Sequence, residues 1–297
     1  MAEQMELAPE ALDEIARQVS NWGRWGEDDQ LGTLNLITPR MRADAAASVS
    51  AGEVVSLSRP LPLGTAPEVP QSMHAVWRVF QPVEAASELI GIAFHGPAVT
   101  HLDALNHIQR DARMYNGFPA DELLPKTGSI HLTVDALAAR ACGRGVLLDV
   151  ARARGVDRLE AGAAVSPADL EAAERLAGVE VGEGDLLFVR TGAAPWDHEP
   201  GTPGLGARCV PWLHERGVAL LGSDVATDVM PASPGPWSLP VHQLAICVMG
   251  MPLLDNCTLD ELAGACRRLG RHQFLAVVAP LRIVGGTGSP VNPLALL

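Results

Sequence analysis

No apolar run in this 297-residue chain approaches the length of a membrane span. Stretches such as Val146 to Leu148 and Phe274 to Val278, and the longer Leu244 to Leu254, fall far short of the roughly 20 residues a bilayer requires. The start, MAEQMELAPEALDEIARQ, is acidic and amphipathic, without the basic leader and apolar centre of an export signal, so a cytoplasmic location is expected. Positive charge is scarce. Against 35 Asp and Glu there are 22 Lys and Arg, a net charge of −13, which argues against nucleic acid and anionic membranes as partners. The five cysteines, Cys142, Cys209, Cys247, Cys257 and Cys266, include no Cys-x-x-Cys pair and read as reduced, mostly buried thiols. Hydrolase signatures are missing too. No two histidines stand at i and i+4 around a glutamate, and Gly222-Ser223-Asp224 lacks the flanking pattern of a serine nucleophile. The run Gly285-Gly286-Thr287-Gly288-Ser289 has no lysine to make it a phosphate loop and is expected to form a tight turn.

What is present is ample core: 47% of the residues are hydrophobic and 19% charged. Helices are expected over 6–19, 39–50, 167–177, 212–216 and 259–269, the second closed by Gly52. Strands are expected over 54–57, 77–80, 90–94, 146–150, 186–190 and 219–222, and within 274–283. This alternation, with no internal repeat or charged linker, gives an α/β class.

Chemistry concentrates in one segment. Phe94 to Ile108 holds three of the nine histidines, with an aspartate. His101, Asp103 and His107 sit at i, i+2 and i+6, with His95 at i−6. Thr100, His101 and Leu102 favour extended backbone, where i and i+2 project from the same face. His101 and Asp103 can therefore grip one ion, and nitrogen plus carboxylate ligands suit a divalent metal. A single histidine here could equally serve a core hydrogen bond; the set of three residues favours metal.

Thr100-His101-x-Asp103-Ala104-x-x-His107 resembles the signature of the metal-dependent cyclase family, which includes bacterial kynurenine formamidase and isatin hydrolase and usually reads His-x-Gly-Thr-His-x-Asp-x-Pro-x-His. The similarity extends to Asn21-Trp22-Gly23-Arg24-Trp25-Gly26, Gly32-Thr33-Leu34-Asn35, Gly145 to Val150, Gly184 to Gly192, Gly222-Ser223-Asp224 and Gly285 to Pro293. The resemblance implies one domain over residues 1–297, with 1–50 a helical segment packed on it. It also implies a compact mixed β-sheet, barrel-like, with helices outside, of the kynurenine formamidase (swivelling β/β/α) type. Two departures from the pattern matter. Its first histidine falls on Pro97 and its proline on Leu105. His95 would have to bulge inward to stand in for the missing ligand.

The resemblance further implies a second cluster, a histidine followed about a dozen residues later by an acid, which His242 and Asp255 match. Asp255 could instead be a start signal for the helix that follows. The implied cofactor is one divalent ion, Mn2+ or Zn2+, held by His101, Asp103, His242 and Asp255 with His95 nearby; losing a histidine at Pro97 favours one ion over two. His107 is then the general base or proton shuttle, or else a further ligand. Trp22, Trp25, Asn35 and Trp237 are candidates to line a pocket for a planar substrate, although the first two could simply clamp the N-terminal segment. The segments 192–206, with Trp196, and 231–240 are candidate lids or subunit contacts. The expected activity is metal-assisted hydrolysis of an amide, lactam or ester in a small, cyclic or aromatic molecule. A metal-dependent cyclase or dehydratase, and a non-catalytic binding protein, are the alternatives. A homodimer or homotetramer is the implied assembly.

Overall fold

The computed structural model describes residues 7–61, 73–79, 82–193, 201–231 and 235–297. Nine strands form one mixed sheet. In chain order they are β1 (Val54–Ser56), β4 (His101–Asp103), β5 (Cys142–Asp149), β7 (Leu186–Arg190), β9 (Leu220–Ser223), β10 (Leu253–Asp255), β11 (Gln273–Val277), β12 (Gly288–Pro290) and β13 (Leu294–Leu296). Across the sheet the order is β1-β13-β11-β5-β7-β9-β10-β4-β12. The centre, β5-β7-β9-β10, is parallel and both flanks are antiparallel. The sheet curls into a half-barrel with helices outside, a mixed α/β fold. The remaining strands form a hairpin, β2 (Met73–Val79) with β3 (Ala85–Gly91), and a short parallel pair, β6 (Ala164–Val165) with β8 (Gly204–Leu205).

Side-chain alternation decides the layering. Val146, Leu148, Leu187 and Val189 enter one buried cluster while Leu147, Leu186, Phe188 and Leu220 enter another on the opposite face. Covering on both faces is why these strands read as unbroken apolar runs. The helices largely follow expectation. Pro9–Val19 opens with Pro at its first turn and buries Leu12, Ala16 and Val19. Pro167–Ala177 opens on a capping box between Ser166 and Asp169, and Asp260–Leu269 ends on left-handed Gly270. The helix expected to reach residue 50 stops at Ala47. The strands expected at 77–80 and 90–94 run instead over Met73–Val79 and Ala85–Gly91 and pair with each other as the β2–β3 hairpin. Phe80, most of the proline-rich stretch 60–70, and Trp196 with residues 194–200 lie outside the described residues. No helix among the described residues is long and apolar enough to cross a membrane.

Three features place the site. β4 is inserted antiparallel beside β10 with Asp255 opposite His101 and Leu253 opposite Asp103. Register therefore sets His101, Asp103 and Asp255 on one face, and Leu102 and Leu254 on the other, in the core. The apolar segment after Leu239 is helical, one α turn over Pro240–His242 and π turns over Gln243–Met249, and carries His242. It stops at Gly250, left-handed at φ 70°, where an added Cβ would lie 2.4 Å from the Tyr115 ring. Tyr115 is fully buried and donates its hydroxyl to Asp29 at 3.1 Å, so it cannot give way. Gly250→Ala is expected to cost about 1–3 kcal/mol, read as a lower urea midpoint at unchanged slope; a midpoint equal to that of the parent protein would show that this corner is not the constraint described.

Candidate metal centre

Asp103 is the middle of the site. It is 1% exposed, and neither carboxylate oxygen has a hydrogen-bond partner. His95 Nδ1 lies 3.0 Å from Asp103 Oδ1, out of line for a hydrogen bond, with His101 Nε2 at 3.5 Å and His107 Nε2 at 3.8 Å from the same oxygen. His242 Nε2 is 3.7 Å from Oδ2 and 3.2 Å from Asp255 Oδ2. The residues His95, His101, Asp103, His107, His242 and Asp255 are thus brought together, from segments far apart in the chain. The loop from Gly91 to Thr100 carries His95 in without any sheet bulge, and its ring stacks on His107 at 3.9 Å. Asp255 is not a helix cap; it ends β10, five residues before the helix starts.

The protonation of two imidazoles is fixed by their far nitrogens. His101 Nδ1 donates to the carbonyl of Val99 at 2.8 Å, so its neutral ring turns an Nε2 lone pair on Asp103. His242 Nδ1 donates to Asp228 Oδ2 at 2.6 Å, so Nε2 faces Asp103 and Asp255, 3.2 Å from Asp255 Oδ2, the position for either a proton or a metal ion. Lone pairs pointed at a buried carboxylate are repulsive unless a proton or cation stands between them. Burial would raise the Asp103 carboxyl, yet the imidazoles of His95, His107, His101 and His242 hold it at about 2, ionised at neutral pH. Burial opposes protonation of His242, but Asp255 and Asp228 outweigh it and raise its pKa well above 6.5. The space between His242 and Asp255 thus attracts positive charge. Two candidate ligand groups share Asp103: His95-His101-Asp103 and Asp103-His242-Asp255. An N/O donor set of this kind fits a borderline divalent ion.

Several supporting residues carry no signal in the sequence pattern. Asp228 accepts from the backbone N–H of Val241 at 2.8 Å and of His242 at 3.0 Å as well as from the imidazole, starting the helix and aiming the ring at once. Thr227 donates to Asp255 Oδ1 at 2.6 Å. Arg59, 8% exposed, donates to the carbonyls of Pro97 and Asp224 at 2.8 and 2.5 Å. Burial lowers its pKa to about 10, and it remains a cation.

The site floors a cavity of about 450 Å³ whose other wall is Val225, Ala226, Met230 and Leu239, with Arg59, Pro97 and Asn256 at the sides. Trp22, Trp25, Asn35 and Trp237 do not line it, which corrects their assignment as substrate contacts. Trp22 donates to the Cys247 carbonyl at 2.8 Å, clamping the N-terminal segment, and Trp25 packs under Arg24. Asn35 bonds Asp29 and Gly32. Trp237 donates to Asp13 with Arg110 stacked 3.7 Å over its ring. Asp224 is occupied as acceptor for Thr191 and Gly192, and His131 pairs with Glu122; neither reaches the cavity. Thr287, in the glycine-rich turn, stands beside the site, its hydroxyl 3.1 Å from His95 Nε2.

The cyclase family model matches residues 55–229. A crystal structure described as a novel cyclase is 30% identical over 95% of this chain and 99% of its own, with a TM-score of 0.85. Isatin hydrolase A from Labrenzia aggregata, bound to benzyl benzoate, is 21% identical over 82% of this chain and 93% of its own (TM-score 0.58). Isatin hydrolase A from Ralstonia solanacearum is 24% identical over 87% and 97% (TM-score 0.57). These last two likenesses are of fold. No curated protein matches in sequence.

Binding to the folded state alone stabilises a protein, by about 2.7 kcal/mol at a roughly hundredfold excess over Kd. Mn2+ or Zn2+ added to chelator-treated protein is therefore expected to raise the melting temperature, and Asp103→Asn to abolish the rise. Asp228→Asn, which loosens His242 without touching the cavity, should weaken metal binding roughly 10–100-fold. Equal metal-induced shifts in parent and both variants would place the ion elsewhere.

Proposed function

This chain belongs to the cyclase family, and from that premise we propose that it is a hydrolase using one divalent ion, Mn2+ or Zn2+, to cleave an amide, lactam or ester in a small cyclic or aromatic molecule. The observation that carries the reading is the buried, ionised Asp103 with His101 Nε2 and His242 Nε2 aimed at it on the floor of a largely apolar cavity. Asp103, His101, His242 and Asp255 would hold the ion, with His95 at its edge. Bound there, a divalent ion supplies Lewis acidity, lowering the pKa of water and polarising a carbonyl. His107 is the proton carrier. Burial lowers its imidazole to about 4 despite the pull of Asp103, so at neutral pH it is free to accept a proton from water. It can then return that proton to the departing nitrogen or oxygen. Val225, Ala226, Met230 and Leu239 hold the apolar body of the substrate against water. Asp103, Asp224, Asp228 and Asp255 offset the charge of a divalent ion plus Arg59, so a neutral substrate enters without adding buried charge.

Elemental analysis after metal saturation and desalting should find close to one ion per chain; two would overturn the stoichiometry. His107→Ala should keep that ion and lose about 10²–10⁴-fold in kcat, whereas loss of metal would make His107 a ligand. Run in labelled water on cyclic amides, esters and N-formyl arylamines, turnover should place solvent oxygen in a product carboxylate. Turnover without label would move the assignment to a cyclase or dehydratase, and metal bound with no turnover on any of these substrates would favour a binding protein.

A further inference from the structure

Trp22 walls a second cleft, of about 410 Å³, which shares no lining residue with the metal cavity. The indole Nε1 is fixed on the Cys247 carbonyl at 2.8 Å, so the ring cannot swing away, yet the residue is 41% exposed. The floor beside it is apolar: Ala16 of the helix Pro9–Val19, and Cys247 and Val248 of the helix that carries His242. The last carbonyls of that second helix are already met. Trp22 donates to Cys247, and Asn21 to Val248 and Met249, which removes the unpaired negative end a helix would otherwise turn on a ligand. Charge sits on the rim, in Arg17, Arg110 and Arg113 against Asp13 and Asp111. One cation takes both acids, since Arg110 reaches Asp13 at 2.7 Å and Asp111 at 3.4 Å. Arg113 donates to the neutral carbonyl of Gly117 at 3.1 Å, and Arg17 pairs with exposed Glu14 outside the lining. The rim is thus cationic in a chain that carries −13 overall.

We propose that this cleft is a binding site for a planar aromatic carboxylate, separate from the metal centre. The ring of such a molecule lies against the Trp22 indole and covers Ala16 and Val248, and its carboxylate meets the guanidinium groups of Arg113 and Arg17. The volume falls within the range of small-molecule sites. Ring and charge are both needed to satisfy the lining. A neutral aromatic leaves the arginines without a partner, and an inorganic anion leaves the Trp22 face and the apolar floor wet. Bound there, the ligand rests on the helix that carries His242. A hydrolase of aryl amides or lactams, as proposed above, releases molecules of this class, but the site itself does not depend on that reading.

Calorimetric titration of the full-length protein at constant ionic strength tests this, with benzoate as the probe. The parent chain should bind benzoate, and Asp103→Asn, which disables the metal centre, should keep a site of the same affinity. Arg17→Glu with Arg113→Glu, both at exposed positions, should weaken it about tenfold or more. Cyclohexanecarboxylate, with the charge but not the aromatic plane, and benzyl alcohol, with the ring but not the charge, should each bind several-fold more weakly than benzoate. No benzoate binding, unchanged affinity in the double variant, loss of the site in Asp103→Asn, or equal affinity for either control molecule would overturn the proposal. Should the double variant misfold, hydrogen exchange on the parent chain decides. Benzoate should slow exchange within 16–22 and 247–249; no slowing, or slowing confined to 95–107, would show that the cleft is not the site.

Discussion

A carboxylate that is buried, ionised and without a single hydrogen-bond donor is a costly thing to build, of the order of several kcal/mol. Asp103 is such a group, and the surroundings that could relieve it are arranged so as not to. The Val99 carbonyl and Asp228 take the only protons His101 and His242 have when neutral. The Nε2 atoms of both rings then face the carboxylate, where a proton or a cation can stand between them. The cost disappears if a cation occupies the centre, so the free energy withheld from folding becomes affinity. The rest of the site keeps these groups aimed at one another.

The sheet provides that aim. Strands of only three residues, β4 and β10, would be weak alone, but Leu102 and Leu254 anchor them from the core side. Period-two alternation then forces His101, Asp103 and Asp255 outward together. The helix from Pro240 is held at its first turn by Asp228 and stopped by Gly250, so His242 cannot rotate about the helix axis or slide along it. Rigid elements on two sides leave the His95 loop as the less constrained wall of the cavity.

The parts of this arrangement legible in sequence are the parts governed by short-range rules. The i, i+2 spacing of His101 and Asp103 announces a shared face, and capped, periodic stretches such as Pro167–Ala177 announce their own ends. His242 and Asp255 came from resemblance; their spacing alone has no local meaning, because a helix and a strand intervene. Asp228 and Thr227 were invisible because they act through contacts made after folding. The tryptophans misled for a related reason. A large ring near a polar neighbour suits a pocket, but Trp22 and Trp237 each find an acceptor in the scaffold first, the Cys247 carbonyl and half-exposed Asp13.

The departure at Pro97 acquires a physical sense in this setting. Where the resembling pattern has a histidine, this chain offers a backbone carbonyl, and Arg59 donates to it at 2.8 Å. Its other partner is also a neutral carbonyl, at Asp224, so the guanidinium keeps its charge and lines the same cavity as Asp103. A fixed cation therefore stands on the side from which a ligand is missing. Three carboxylates, Asp103, Asp228 and Asp255, can neutralise that cation and one divalent ion. A second divalent ion would face the repulsion of Arg59 at close range in a poorly screened interior.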